Sequence, residues 1–246
     1  MNDNLTSPAA PLPIAADEAH VWKVRLDVGD ARLEELSRLL AADERRRAVE
    51  FRLEAARRRF VIARTALRTV LGGYLGVSPT TVALDFDRNG KPRLGDPASN
   101  VDLRFNVAHS GNLALVVVTR FCEVGVDVEQ LRSVRYAGQI ARRYFHPTEL
   151  QAIVSAAAAE RDATFLRCWT AKEAVLKAVG VGIVSSLLGF RVPFDGYGDA
   201  GVRVPASPYG GVETRCWLER LSVGSNYMAA VAFVEAQRIV RLFDFD

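Results

Sequence analysis

From Trp22 to Val28, apolar Trp22, Val24, Leu26 and Val28 alternate with Lys23, Arg25 and Asp27, the period of a half-buried strand. The period then lengthens. Asp30 stands where the N-cap of a helix beginning ARLEELSRLL would lie. A second helix is predicted from about Glu54 to Leu75, with Phe60, Ala63, Leu67, Val70 and Tyr74 on its apolar face and Gly76 as its stop. Asn89-Gly90 marks a turn, and Lys91-Pro92 after it is an extended step that presents the lysine on a fixed backbone. FNVAHSG reads as a polar turn, LALVVVT as a buried strand, Arg120 to Glu123 as a hairpin-like break, and VGVDVE as a further strand. Helices follow at about Pro147–Ala159 and Ala163–Val179, the latter with Asp162 as N-cap. Strands are predicted near 188–193, 212–219, 227–234 and 238–245. SGNLALVVVT followed by GVDVE is echoed by GSNYMAAVAFV followed by LFDFD, the pattern of a duplicated architecture with a cleft between its halves. The chain divides into a flexible tail (1–19), a first half (20–122) and a second half (123–246).

Composition narrows the class. A chain of 246 residues, 49% hydrophobic and 25% charged, is globular and long enough for a sizeable core. No apolar run reaches the ~20 residues of a membrane helix, and the N-terminus lacks the basic and apolar regions of a secretory signal. Cys122, Cys168 and Cys216 are odd in number and widely spaced, which excludes a disulfide scaffold and a zinc ribbon and fits a reducing cytoplasm. A net charge of +3 does not support general nucleic-acid binding but leaves room for a local anion site.

Three segments carry candidate chemistry. In Gly125-Val-Asp-Val-Glu129, a period of two turns Val126 and Val128 to a core and sets Asp127 and Glu129 side by side on the opposite face, next to a position without a side chain. Two such charges ~4 Å apart repel by about 4 kcal/mol at an effective dielectric of ~20, so either a cation offsets them or they are two solvated acids on an exposed edge. A hard divalent ion with oxygen ligands suits, and Mg²⁺ uses few carboxylates plus substrate phosphates. In Trp169-Thr-Ala-Lys-Glu-Ala-Val-Leu-Lys177, helical spacing puts Trp169, Glu173 and Lys177 on one stripe. That stripe is either a surface ion pair beside a core tryptophan or a third metal ligand with an anion clamp. In Asn106-Val-Ala-His-Ser-Gly111, His109 beside the Ser110 and Gly111 amides could donate to a phosphate. The arginines from Arg45 to Arg68 read as a solvated face paired with Asp43, Glu44, Glu50 and Glu54, or as a source of one or two phosphate contacts.

Taken in order, the basic N-terminal helices, Gly90-Lys91-Pro92, Phe105 to Gly111, Gly125 to Glu129, Phe145-His-Pro-Thr-Glu149, and Trp169 to Lys177 with Gly180 and Gly182 resemble the 4′-phosphopantetheinyl transferase superfamily in its long, Sfp-type form. The resemblance spans residues 40–195. It implies an α+β fold of two similar α/β halves forming a pseudo-dimer, with the active site in the cleft between them, and a monomeric chain. It implies Mg²⁺-dependent (or Mn²⁺-dependent) transfer of the phosphopantetheine arm of coenzyme A to a serine of apo acyl- or peptidyl-carrier domains. Those carriers serve fatty acid, polyketide or nonribosomal peptide synthases, and adenosine 3′,5′-bisphosphate is released. Neither nucleic acid nor membrane is an expected partner. By resemblance, Asp127, Glu129 and Glu173 are the metal ligands, and Glu173 and Lys177 the catalytic pair, with Lys177 also reaching the coenzyme A phosphates. Lys91 and Pro92 form the adenine-side loop, His109 binds phosphate, and Arg47 with Arg59 or Arg64 contacts the 3′-phosphate. The family often has Ser where this chain has Ala108, which removes one hydroxyl contact. The rival readings are a non-catalytic coenzyme A or carrier-binding homologue and a Mg²⁺-dependent nucleotide pyrophosphate hydrolase.

Overall fold

The computed structural model describes residues 11–87, 90–180, 187–193, 201–205 and 213–246. The first part of the chain forms β1 (Glu18–Arg25), α1 (Asp30–Ser37), α2 (Ala42–Glu50), α3 (Glu54–Leu75), β2 (Leu84–Phe86), β3 (Pro92–Leu94), β4 (Leu103–Ser110) and β5 (Leu113–Arg120). The second forms β6 (Val124–Gln130), α4 (Ala137–Tyr144), α5 (Pro147–Ser155), α6 (Arg161–Val179), β7 (Val202–Val204), β8 (Thr214–Arg220), β9 (Tyr227–Val234) and β10 (Ile239–Phe245).

Two four-stranded sheets, ordered β10-β1-β5-β4 and β6-β9-β8-β7, repeat one pattern: β1-β5-β4 in the first half matches β6-β9-β8 in the second, antiparallel throughout. Strand alternation decides the layering. Leu113, Leu115 and Val117 of β5 meet Val124, Val126 and Val128 of β6 and Ala229, Val231 and Phe233 of β9 in a core between the two sheets. The alternate residues Ala114, Val116 and Val118 pack beneath α1 and α3, and Ala230 and Ala232 beneath α4, α5 and α6. The fold is therefore α+β, two similar halves back to back with a helical layer outside each sheet. Because β5 is buried on both faces, LALVVVT is apolar at consecutive positions rather than alternate ones.

Several local expectations are corrected. The stretch assigned to a flexible tail (1–19) is docked over its described part: the Leu12 amide donates to the Gly73 carbonyl at 2.8 Å, and β1 already begins at Glu18, with Ala19 and His20 buried. Helix α2 was not expected because it has no apolar stripe. Its buried residues are Glu44 and Ala48, and Glu44 grips Arg64 and Arg68 of α3. Helix α4, also not expected, is two turns long and lays Ala137, Ile140, Ala141 and Tyr144 on the core. FNVAHSG is the body of β4 and not a turn. The break at Arg120–Glu123 is no hairpin, since β5 and β6 lie in different sheets. The last strand crosses back from the second half: β10 pairs in parallel with β1. Residues 187–189 form a 3-10 turn where a strand was predicted. Asp30 and Asp162 sit in the first turns of α1 and α6, which are capped by Gly29 and Glu160. Asn89 and Gly182 lie outside the described residues.

Candidate active site

Glycine sets the distance between the carboxylate strand and the helix that covers it. A Cβ on Gly125 would lie 2.1 Å from the Ala174 carbonyl oxygen and 2.4 Å from the Ala178 nitrogen, so α6 rests directly on β6. The next residues of the same parity, Asp127 and Glu129, then meet the face of α6 bearing Glu173 and Lys177. Lys177 Nζ donates to Asp127 Oδ1 at 2.7 Å and to the Val126 carbonyl at 3.2 Å. Asp127 and Glu173 are buried, 7% and 4% exposed. Asp127 Oδ2 and Glu173 Oε1 have no hydrogen-bond partner among the described residues. Burial, with a smaller push from Glu129 and against the pull of Lys177, raises the Asp127 carboxyl to about 6. Burial, then repulsion from Asp127, raises Glu173 to about 7. Both oxygens are acceptors awaiting a donor or a cation.

Glu129 is half-buried at the end of β6. Its Oε2 accepts from Ser110 Oγ at 2.8 Å and lies 3.4 Å from Arg132 Nη2. Among the described residues no three His, Cys, Asp or Glu side chains are gathered closely enough to hold a metal ion. Trp169, on the same stripe as Glu173, belongs to the core and stacks with Phe165 at 6.0 Å between ring centroids.

Beside this cluster a cavity of ≈ 490 Å³ opens under α3, and Arg47, Arg59, Arg64, Pro92 and His109 all line it. Arg47 and Arg64 lie against the Phe60 ring, at 5.4 and 5.8 Å from its centroid. Arg64 Nε is 3.3 Å from Glu44, while its buried Nη1 has no partner among the described residues. Arg68 is different: it is spent on Glu44 and on the carbonyls of Pro79 and Val82. The cavity wall lowers the His109 pKa by desolvation, and Lys177 and Arg59 add to that effect, so Lys177 lies within electrostatic reach of the cavity. Ala108 faces the other way, into the core between the sheets. A hydroxyl there would point away from the cavity, so the expected loss of an anion contact does not arise at this position.

Lys91 lies beyond Pro92 in a second cavity of ≈ 570 Å³ that reaches Gly180 at the end of α6. Its Nζ donates to the Lys177 carbonyl at 2.9 Å, so it caps the helix that carries Lys177. Burial lowers its pKa.

Two features escaped sequence reasoning. Asn106 and Ser110 belong to a strand and not to a turn, and their shared parity on β4 aims both side chains at β6: Asn106 Oδ1 accepts from the Val126 amide at 3.0 Å, and Ser110 Oγ from the Gln130 amide at 3.1 Å. Lys172 and Glu149 form a pair with no exposure at all, 2.9 Å apart. The signal for that pair was a charged residue inside the buried stripe of α6, which only a partner on another element can satisfy.

Comparison with known proteins places the chain. The pattern of the 4′-phosphopantetheinyl transferase superfamily matches residues 123–232, and that of the 4′-phosphopantetheinyl transferase N-terminal region matches residues 29–120. The chain is 42% identical over 172 residues to the 4′-phosphopantetheinyl transferase HetI of a Nostoc species, covering 70% of this chain and 73% of that one. It is 28% identical over 208 residues to a 4′-phosphopantetheinyl transferase of Bacillus pumilus, 84% of each chain. It is 26% identical over 208 residues to the 4′-phosphopantetheinyl transferase Sfp of Bacillus subtilis, 80% of this chain and 88% of that one. With two matched segments that fall on the two halves of the fold, and a cation-lined cavity beside a buried carboxylate pair, the chain belongs to the 4′-phosphopantetheinyl transferase family.

Proposed function

We propose that this protein transfers the 4′-phosphopantetheine arm of coenzyme A to a serine of an apo acyl- or peptidyl-carrier domain and releases adenosine 3′,5′-bisphosphate. The observation that carries the reading is the adjacency of two unlike sites. An arginine- and histidine-lined cavity suits the phosphates of a nucleotide. Next to it stand two buried carboxylates with unsatisfied oxygens and a lysine between helix and strand.

A divalent cation fits the donor set. Asp127 Oδ2 and Glu173 Oε1 are buried oxygens without a partner among the described residues, a cation would relieve the repulsion between their carboxylates, and Glu129 is the neighbouring third acid. Mg²⁺ needs only one or two carboxylates when substrate phosphates complete its shell. Bound there, it would offset charge on the pyrophosphate. The remaining steps belong to the chain. Arg47, Arg59, Arg64 and His109 bind the nucleotide end and fix its orientation, while Pro92 forms the rigid wall. Glu173, the acid that α6 brings against Asp127, accepts the proton of the carrier serine. The serine oxygen forms a bond to the phosphorus bearing the pantetheine arm, and the bond from that phosphorus to the bridging oxygen breaks. Lys177 neutralises the bisphosphate that leaves with the electron pair. Positioning and charge neutralisation carry most of such a displacement.

The carrier surface is also proposed. The larger apolar side chains of α5 are mostly core: Ile153 is buried, Leu150 half-buried and Val154 exposed. The segment after β6 offers more, with Arg135 over Tyr136 and Arg143 over Tyr144, a basic and aromatic face that suits acidic carrier helices. No described helix is long and apolar enough to cross a membrane.

One incubation tests the reading. The protein is mixed with coenzyme A, Mg²⁺ and an apo-carrier, and the carrier is weighed by mass spectrometry. A gain equal to the phosphopantetheine arm is expected. Bisphosphate release without that gain would make the protein a pyrophosphate hydrolase, and coenzyme A binding with neither would make it a binding module.

A further inference from the structure

Strands β4 and β6 are each at the edge of their own sheet, and they face each other across the seam between the halves. The two contacts Asn106–Val126 and Ser110–Gln130 have the same offset of 20 residues, so the strands run parallel there. Two parallel edges in register could close a backbone ladder and fuse the sheets. They do not. Two of the β6 amides that point at β4 are taken by its side chains, Val126 by Asn106 and Gln130 by Ser110, with Asp127 and Glu129 bracketed between. Asn106 is itself buried, 4% exposed. Ser110 has its geometry fixed from both sides, since its oxygen accepts from the Gln130 amide while its hydroxyl donates to Glu129 Oε2. On the same stretch of β6 edge, the Val126 carbonyl accepts from Lys177.

We propose that Asn106 and Ser110 are positioning residues: they hold the carboxylate strand a side chain's length from the first half, which keeps the seam open beside Lys177 and fixes where Asp127 and Glu129 stand. The proposal concerns the site of the transfer reaction and rests on that reading. Asn106 and Ser110 touch neither the cavity under α3 nor the reacting atoms, so their loss acts through β6.

The test joins hydrogen exchange to kinetics. In Ser110→Ala the Gln130 amide should exchange at least about tenfold faster, and kcat for carrier modification should fall about tenfold, the effect of one lost hydrogen bond to a charged group. The KM for coenzyme A should stay within about twofold. Ser110→Thr keeps the hydroxyl and should restore both quantities. Asn106→Asp, which keeps the acceptor for Val126, should protect that amide where Asn106→Ala does not. Faster exchange with unchanged kcat would make Ser110 merely structural and overturn the proposal. Unchanged exchange, or a Thr variant as impaired as the Ala variant, would also overturn it. A wild-type protein that modifies no carrier sinks the functional reading instead, and the exchange rates at Val126 and Gln130 then decide alone whether the side chains hold the seam.

Discussion

Helix α6 carries two buried acid–base groups from adjacent residues, Lys172 and Glu173, and the two sets are finished differently. Around Lys172 every demand is met. Glu149 Oε1 accepts from Lys172 at 3.0 Å and from the Val192 amide at 2.8 Å, its Oε2 accepts from the His146 amide at 2.9 Å, and Lys172 also donates to the Phe190 carbonyl at 2.7 Å. Around Glu173 the demand is left open: among the described residues one oxygen of Glu173 and one of Asp127 are bare, and Lys177 is bound to Asp127 rather than to Glu173. The closed set ties α5, α6 and the segment before β7 into one body. The open set has the form of a site, because a fold rarely leaves two buried carboxylate oxygens unpaired without a ligand to complete them.

Breaking the closed set should have the largest effect on stability. Lys172→Ala strands Glu149 without exposure, and denaturant unfolding should show a loss of about 3–5 kcal/mol. Replacing both partners, Lys172→Met with Glu149→Leu, should recover most of it, since a buried pair is often worth no more than apolar packing of similar volume. A double variant as unstable as the single one would mean that the backbone bonds to Phe190 and Val192 matter more than the charges.

Breaking the open set should do the reverse. Glu173→Gln should reduce carrier modification by about 10²–10⁴, the usual worth of a general base, with a melting temperature no lower than wild type. Near-normal transfer by this variant would remove Glu173 from the chemistry.

A pH series sharpens the contrast. Folding raises the Asp127 carboxyl from 3.8 to about 6 and Glu173 from 4.5 to about 7. The folded state therefore holds protons that the unfolded state releases. The stability these groups add is full below their unfolded values and is lost as pH rises through about 6 and then about 7. In EDTA, the melting temperature of the wild type should fall relative to an Asp127→Asn/Glu173→Gln double variant across that window. Parallel curves would show that the two carboxyls are not held protonated by the fold.

The smallest effect is expected at the cavity rim. Arg59 is exposed, and Arg59→Ala should raise the KM for coenzyme A roughly three- to fivefold with kcat unchanged, consistent with a screened contact below about 1 kcal/mol. A matching fall in kcat would place Arg59 at the transferring phosphate instead.

Much of this was legible along the chain wherever one face of an element is buried. Period two in GVDVE separated Val126 and Val128 from Asp127 and Glu129, and period 3.6 aligned Glu173 with Lys177. The same logic failed where burial is polar. Helix α2 is held by Glu44 against two arginines, so no apolar period announces it. Strand β4 alternates Asn106, Ala108 and Ser110 toward the seam with Phe105, Val107 and His109 on the other face, and its polar half disguised it as a turn.

Among the arginines, sequence could supply charge but not assignment. Arg64 and Arg68 share a helix flank, and both touch Glu44. Only the packing of α2 and of the turn at Pro79–Val82 spends Arg68 on Glu44 and two carbonyls while leaving one buried nitrogen of Arg64 without a partner among the described residues.

The sequence by itself determined the echo of β5 in β9, the side-by-side acids of β6 and the acid–lysine stripe of α6, because each depends on a local period fixed by backbone geometry, whereas the echo of β6 in β10 did not hold, since β6 takes the place of β1 in the second sheet. Only the tertiary structure decided which charges are closed and which remain open, that Lys91 caps α6, and that β4 meets β6 through side chains. Those outcomes depend on which partners arrive from distant parts of the chain, and a buried polar atom gains or loses its partner only when the elements have packed.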